Sequence, residues 1–342
     1  PAGTVIAREQ TYVHTFYKKE ATAQQPATSK EEGNLVAFSG PDFKATFDKQ
    51  SGLLTSYLYK KHEYILNGQG PRPFFWRAPT DNDYGANLPV RLKAWKEASY
   101  QEPKAESFQV TPGSNATTIK VTYRFPQTDA RWDITYKIYA SGVIKVDNRF
   151  VAEGDQAPMI PRVGLRMQLP ESFTDLTYYG RGPKENYRDR RTSQFIGEYA
   201  IPVKDMYEPY VRPQENNHRT DIYWCALTDK TQRGLLLIAD RTFELNASNY
   251  PLESMDSGDT IDNGAPRTEK THHRHLTDPL PEKMVDLFID YRMMGVGGDD
   301  SWGATAHEPY LIRPGKENAI EYGFSLVPFD KKEDYKYLIR QY

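Results

Sequence analysis

The sequence predicts an all-β protein, a large sandwich of antiparallel sheets. Short runs of alternating apolar and polar residues recur along most of the chain, split by Gly, Pro, Asn and Asp, whereas few stretches show a helical period, the best being residues 88–99. The aromatic content agrees. The 342 residues include 24 Tyr, 15 Phe and 5 Trp, side chains that fit a pleated, half-buried surface.

Residues 5–16 alternate weakly and predict one strand, and the polar stretch 18–33 after it reads as a linker. A strand with no partner of its own, in a chain that begins Pro1-Ala2-Gly3-Thr4 without Met, is expected to be the end of a preceding domain; residues 1–33 are assigned to that strand and linker. From residue 34 the β pattern is continuous. Residues 43–47 and 53–59 alternate about Gln50-Ser51-Gly52, a hairpin by composition, and residues 119–125, 132–140 and 143–150 are further strands, the last two joined by Ser141-Gly142. Runs at 163–169, 176–179, 222–227, 235–239, 243–247, 285–291 and 320–327 complete a domain over 34–330. Residues 331–342 start Lys-Lys-Glu-Asp and read as an exposed tail.

Charge and composition narrow the function classes. A formal net charge of −2, from 44 basic and 46 acidic residues well interspersed, provides no basic stripe, so nucleic acid is not an expected partner. No run approaches the roughly 18 apolar residues of a membrane span, and the first residues lack the features of a signal peptide. The single Cys225 excludes an internal disulfide and leaves the compartment open between cytoplasm and periplasm. Set between Trp224 and Ala226 in an apolar run, it reads as buried and inert.

The densest chemistry lies in Met294-Gly295-Val296-Gly297-Gly298-Asp299-Asp300-Ser301-Trp302. Three glycines in four positions suit backbone that takes positive φ or approaches another group closely, and the two carboxylates and the indole that follow read as a tight loop presenting Trp302 or dropping it into the core. Arg77-Ala78-Pro79-Thr80-Asp81-Asn82-Asp83-Tyr84-Gly85 gathers a cation, two carboxylates and an amide in a turn-rich segment. Asp81 and Asp83 could hold a hard cation or satisfy neighbouring amides in Asx-turns, and the spacing is not that of an EF-hand. Two further polar runs, residues 178–190 with Gly180-Arg181-Gly182-Pro183 as a sharp turn leaving a strand, and residues 207–219, suit either a cleft lining or an ion-pair network. On a strand His273 and His275 share a face, but no third zinc ligand stands at a diagnostic spacing beside the His272–His275 cluster. Glu185 and Glu215, each near an Asn, are not assigned as a glycosidase pair, because neither ends a βα unit and no βα repeat is present.

Taken together, these stretches resemble the C-terminal domain of LacZ-type β-galactosidases of glycoside hydrolase family 2, the β-galactosidase small chain. The likeness rests on residues 77–85, on Gly180–Tyr187 with Asp189-Arg190, on Asp205-Met206-Tyr207, Pro209-Tyr210-Val211 and Pro213-Gln214-Glu215-Asn216, on His273-Arg274-His275-Leu276, and on Gly295–Trp302, in the family's order. What the resemblance implies is a β-supersandwich related to the galactose mutarotase sandwich, preceded by an immunoglobulin-like domain whose last strand would be the start of this chain. It further implies that the catalytic glutamates and the Mg²⁺ and Na⁺ sites belong to a barrel domain of the same protein, with no catalytic residue, metal or cofactor in this fragment. The resemblance also implies that the position of Trp302 supplies an aromatic platform for a galactoside, with Asp299 and Asp300 beside it, and that Arg77, Asp81, Asn82, Asp83 and Gly85 belong to a mobile loop or site wall. The barrel, the galactoside and a second copy of the chain are the expected partners. Asn217 stands where the family usually has Gly, a substitution a left-handed turn tolerates, and the segment after Gly85 is shorter than usual. A stand-alone aldose 1-epimerase of the mutarotase type and a binding or assembly module without sugar contact are the alternatives.

Overall fold

The computed structural model describes residues 7–11, 24–152, 159–258, 275–300, 302–313, 315, 319–331 and 333–341. Its first sheet is an antiparallel meander of β1 (Thr28–Glu32), β2 (Leu35–Ser39), β3 (Phe43–Asp48), β4 (Leu54–Tyr59) and β5 (His62–Glu63). Alternation decides which face is covered: Phe43, Ala45 and Phe47 are buried while Lys44 between them is exposed. The hairpin at Gln50-Ser51-Gly52 is present, with Gly52 at φ +76° and so close to Tyr123 that a Cβ would lie 2.4 Å from the phenol oxygen.

The stretch 18–33 is not linker throughout, because its last residues form β1. All five residues of that strand are exposed, so no apolar alternation announced it; the register Thr28↔Ser39 to Glu32↔Leu35 comes from the hairpin instead. Ala27 is buried just before it, so the folded unit starts ahead of residue 34. Most of the strand expected over 5–16 lies outside the described residues. Residues 7–11 form no strand, but Gln10 clasps the backbone of Ile196 with two hydrogen bonds of 2.7 Å.

The second sheet holds β6 (Arg72–Phe74), β7 (Ala105–Thr111), β8 (Thr117–Phe125), β9 (Ala130–Ile138), β10 (Ile144–Ala152), β11 (Arg162–Pro170), β12 (Asp175–Gly182), β13 (Phe195–Pro202), β14 (Arg219–Thr228), β15 (Gly234–Ser248), β16 (Met284–Met293) and β17 (Ile320–Phe329). Its main order is β13-β12-β14-β15-β17-β10-β9-β8-β7, with β16 joining β15 to β11 and β11 to β6. The two strands expected at 235–239 and 243–247 are one strand, β15, of 15 residues, and the exposed pair Asp240-Arg241 marks its middle. Its first half pairs with β17, from Gly234↔Phe329 to Ala239↔Phe324, and its second half with β16, from Glu244↔Asp290 to Ser248↔Asp286. The sheet therefore forks along this strand.

The helical period at 88–99 is two helices, α2 (Leu88–Arg91) and α3 (Lys93–Tyr100), separated by Leu92 at φ −111°, ψ 17°, and preceded by α1 (Asp81–Gly85). The tail is not simply an exposed terminus: α4 (Tyr335–Gln341) lays Tyr335, Leu338 and Ile339 on the apolar cluster of Trp224 and Phe329. Those apolar positions have helical spacing but are too few to stand out beside the charges. The two sheets share one core. Phe47 meets Tyr136 across them at 5.0 Å, and Phe75 sits among Trp95, Phe125, Trp132 and Phe150 at 4.9–5.5 Å. Among the described residues no helix is long and apolar enough to cross a membrane.

Candidate functional site

The loop after β16 is held from beneath. Arg77, fully buried, donates to the carbonyls of Met294 (2.6 Å) and Gly295 (3.1 Å) and meets Asp83 through Nε (2.9 Å) and Nη2 (2.7 Å). Asp83 is also the third residue of α1. Its carboxylate accepts the amide of Thr80 (3.0 Å), while the Thr80 hydroxyl accepts the Asp83 amide (3.1 Å), a reciprocal capping box that starts the helix. The segment expected to be turn-rich is thus a capped helix, with half-buried Gly85 as its last residue.

The glycines serve close approach rather than positive φ. A Cβ on Gly295 would lie 2.6 Å from Asp189 Oδ2 and 2.8 Å from Ala306 Cβ, and one on Gly298 would lie 2.6 Å from the Ala304 carbonyl oxygen. Asp189 closes the brace by accepting the Gly297 amide at 2.7 Å. Beyond the glycines Asp300 folds the tip: its Oδ1 accepts the amides of Trp302, Gly303 and Ala304 at 2.9–3.0 Å. The Ala304 and Trp302 amides, with Gly303, hold its carboxyl below the usual carboxylate range.

Trp302 leaves this frame with 80% of its surface exposed, so the indole is not a core residue. Around it, Asp299 pairs with His307 at 2.9 Å, both exposed, and Asn82 donates to the Asp300 carbonyl at 3.2 Å. Asp81 is exposed and accepts from Gln214 at 3.2 Å. The fold therefore gathers Trp302, Asp299, Asp300, Asp81 and Asn82 on one rim, and sets Arg77 and Asp83 under it as supports. Asp189 is the supporting residue that the polar run 178–190 did not single out. Its partner is over a hundred positions away, and the sequence named Asp189 only within the Asp189-Arg190 motif, without a role.

Glu185 and Glu215 are committed internally. Glu185 accepts the Asn217 amide at 2.7 Å and meets Arg190 and the Tyr210 hydroxyl; Glu215 is buried against Asn246 (2.9 Å) and Arg162 (3.5 Å). Asn217 takes the left-handed backbone expected there, φ 60°. Behind them lies a buried network that draws Arg188 and His218 from the two polar runs, the ion-pair alternative the sequence offered for them. His218 touches Asn246 (2.6 Å) and Glu244 (2.9 Å), and Glu244 also pairs with Arg188 (2.5 Å). Burial pushes the Glu244 carboxyl up, but His218 and Arg188 outweigh it and hold it below its usual range. Asp290, 3.2 Å from Arg162, is buried so deeply that its carboxyl is pushed up to about 7, and a Cβ on Gly164 would lie 1.8 Å from its Oδ1. His272 and His273 lie outside the described residues, and His275 is exposed. Among the described residues no three metal-ligating side chains gather.

The chain is 33% identical over 291 residues to a beta-galactosidase of Priestia megaterium, with 85% of this chain and 26% of that one aligned. It is 32% identical to the beta-galactosidase of Lactobacillus delbrueckii subsp. bulgaricus (87% and 28% covered) and 28% identical to that of Streptococcus thermophilus (96% and 30%). The chain thus spans about a quarter to a third of the length of these relatives. Among solved structures it is similar to a galactose 1-epimerase from Lactobacillus acidophilus at 7% identity and a TM-score of 0.44, covering 90% of this chain and 99% of that one. Residues 39–326 match the family described as beta galactosidase small chain, and with that match over most of its length the chain belongs to that family.

Proposed function

We propose that the chain is the C-terminal domain of a LacZ-type β-galactosidase of glycoside hydrolase family 2, a retaining enzyme that hydrolyses terminal β-D-galactosides, and that this domain supplies one wall of the active site. The observation that carries the reading is Trp302, an 80% exposed indole on a loop tied down by Arg77, Asp189 and Asp300. An exposed indole costs hydration unless something covers it, and the C–H face of galactose is a surface that indole stacking covers well. Asp299 and Asp300 stand beside it for the sugar hydroxyls. The two glutamates nearest to a glycosidase pattern, Glu185 and Glu215, already have internal partners. In this reading the acid/base and nucleophile carboxylates come from a barrel domain of the same protein.

Two assays on an aryl β-galactoside test it. The 342-residue chain alone is expected to show no turnover, and Trp302→Ala in the longer protein is expected to lower kcat/KM by about tenfold or more. Robust turnover by the chain alone, or an unchanged kcat/KM in the variant, would overturn the proposal.

A further inference from the structure

A second recess, which shares no lining residue with the Trp302 rim, lies where the large sheet forks. Because β15 exchanges β17 for β16 midway, the strands on that side diverge and leave a cleft of about 740 Å³. Asp240, Arg241 and Thr242 line it from the middle of β15, Tyr291 and Arg292 from β16, and Glu321, Tyr322 and Gly323 from β17. The volume falls in the roughly 300–1,000 Å³ range of small-molecule sites.

The charges in this cleft do not cancel. Each carboxylate on its wall already has a cation: Asp133 meets Arg131 (2.9 Å), Asp147 meets Lys137 (3.0 Å) and Lys145 (3.2 Å), Asp240 meets Lys145 (2.5 Å), and Glu321 meets Arg149 (3.5 Å). Arg188 is spoken for by buried Glu244. Arg292 is not matched. It is half-buried over the Tyr291 ring (5.2 Å), its Nε has no hydrogen-bond partner, no carboxylate among the described residues lies within ion-pair distance of it, and burial and then the neighbouring Arg188 push its guanidinium below the usual range despite the pull of Tyr291 and Glu244. Arg241 and Lys120, also on the wall, have no ion-pair partner among the described residues. A desolvated guanidinium beside a second one is unfavourable until an anion joins them, and a carboxylate or phosphate oxygen then gains charge-assisted hydrogen bonds.

We propose that the cleft at the fork binds a hydroxylated organic anion of sugar size, with Arg292 as its principal contact, Arg241 at the mouth, and the hydroxyls of Thr135 and Thr242 facing its body. The site is separate from the galactoside reading of Trp302 and does not depend on it.

Calorimetric titration of the 342-residue chain at fixed ionic strength tests this, with galacturonate, galactose 6-phosphate, inorganic phosphate and neutral galactose as probes. Saturable binding of at least one organic anion is expected, weakened about tenfold or more by Arg292→Gln. Binding of galacturonate identifies a carboxylate as the recognised group; binding of both galactose 6-phosphate and inorganic phosphate identifies a phosphate. If Arg292→Gln does not fold, Arg241→Gln at the exposed bend is expected to weaken the same binding at least threefold. No saturation by any anion, or anion binding that these arginine variants leave unchanged, would overturn the site. Binding abolished by Trp302→Ala and untouched by Arg292→Gln belongs to the other rim and also counts against it.

Discussion

Arg77 and Asp83 face each other through two hydrogen bonds, 2.9 and 2.7 Å, with both side chains out of water. The pair joins the start of α1 to the loop that carries Trp302, because the same guanidinium holds the carbonyls of Met294 and Gly295.

Breaking that pair is expected to be costly. Arg77→Met leaves the buried Asp83 carboxylate with the Thr80 amide alone and takes the guanidinium from the carbonyls of Met294 and Gly295, and urea unfolding is expected to show a loss of about 3–5 kcal/mol. Adding Asp83→Leu is expected to recover only part of it, since the carbonyls stay unsatisfied. A loss below about 1 kcal/mol for the single variant would show that the bridge does not support the loop.

Asp290 makes stability depend on pH in an unusual direction. Its ordinary pKa is 3.8 and in the fold it is pushed up to about 7 by burial, so between those values the folded chain holds a proton that the unfolded chain has released. Its contribution to stability therefore falls as pH rises through that window and levels off above it. Asp290→Asn is neutral throughout. Relative to the unaltered chain, the variant is expected to gain at most about 3 kcal/mol between pH 5 and pH 8 in denaturant titrations. An unchanged difference between the two chains at those pH values would contradict this reading of the buried carboxyl.

Cys225 is fully buried on β14, and burial pushes its thiol well above the usual range. Its reaction with a thiol reagent at neutral pH is expected to be slower by several orders of magnitude in the native chain than in guanidinium, and limited by opening of the sheet. Rapid labelling of the native chain would place β14 among the least stable strands.

Much of this fold was legible because several of its strands carry a period-2 apolar pattern. β3, β8, β9 and β10 appear where the apolar period puts them, and Asn217 takes the positive φ its side chain tolerates. β1 escaped because its residues are exposed on both faces, and the unity of β15 because polar Asp240-Arg241 looks like a turn. Within the candidate site, the sequence pointed to Trp302 and its carboxylates but could not show that Arg77 reaches Met294, 217 positions away, or that Asp189 braces Gly297. Composition marks residues rich in chemistry; only topology separates those that face solvent from those that hold them up.

The position of β17 carries a consequence for biosynthesis. It is the last strand of the sheet to leave the ribosome, yet it sits between β15 and β10 and joins β13-β12-β14-β15 to β10-β9-β8-β7. Before residues 320–329 emerge, β10 and the first half of β15 offer open edges able to pair with another nascent chain. Such long-range closure is slow. Chains halted before residue 320 are therefore expected to accumulate as aggregates, and the yield of folded protein to depend on how long those two edges wait for the strand that fills the gap.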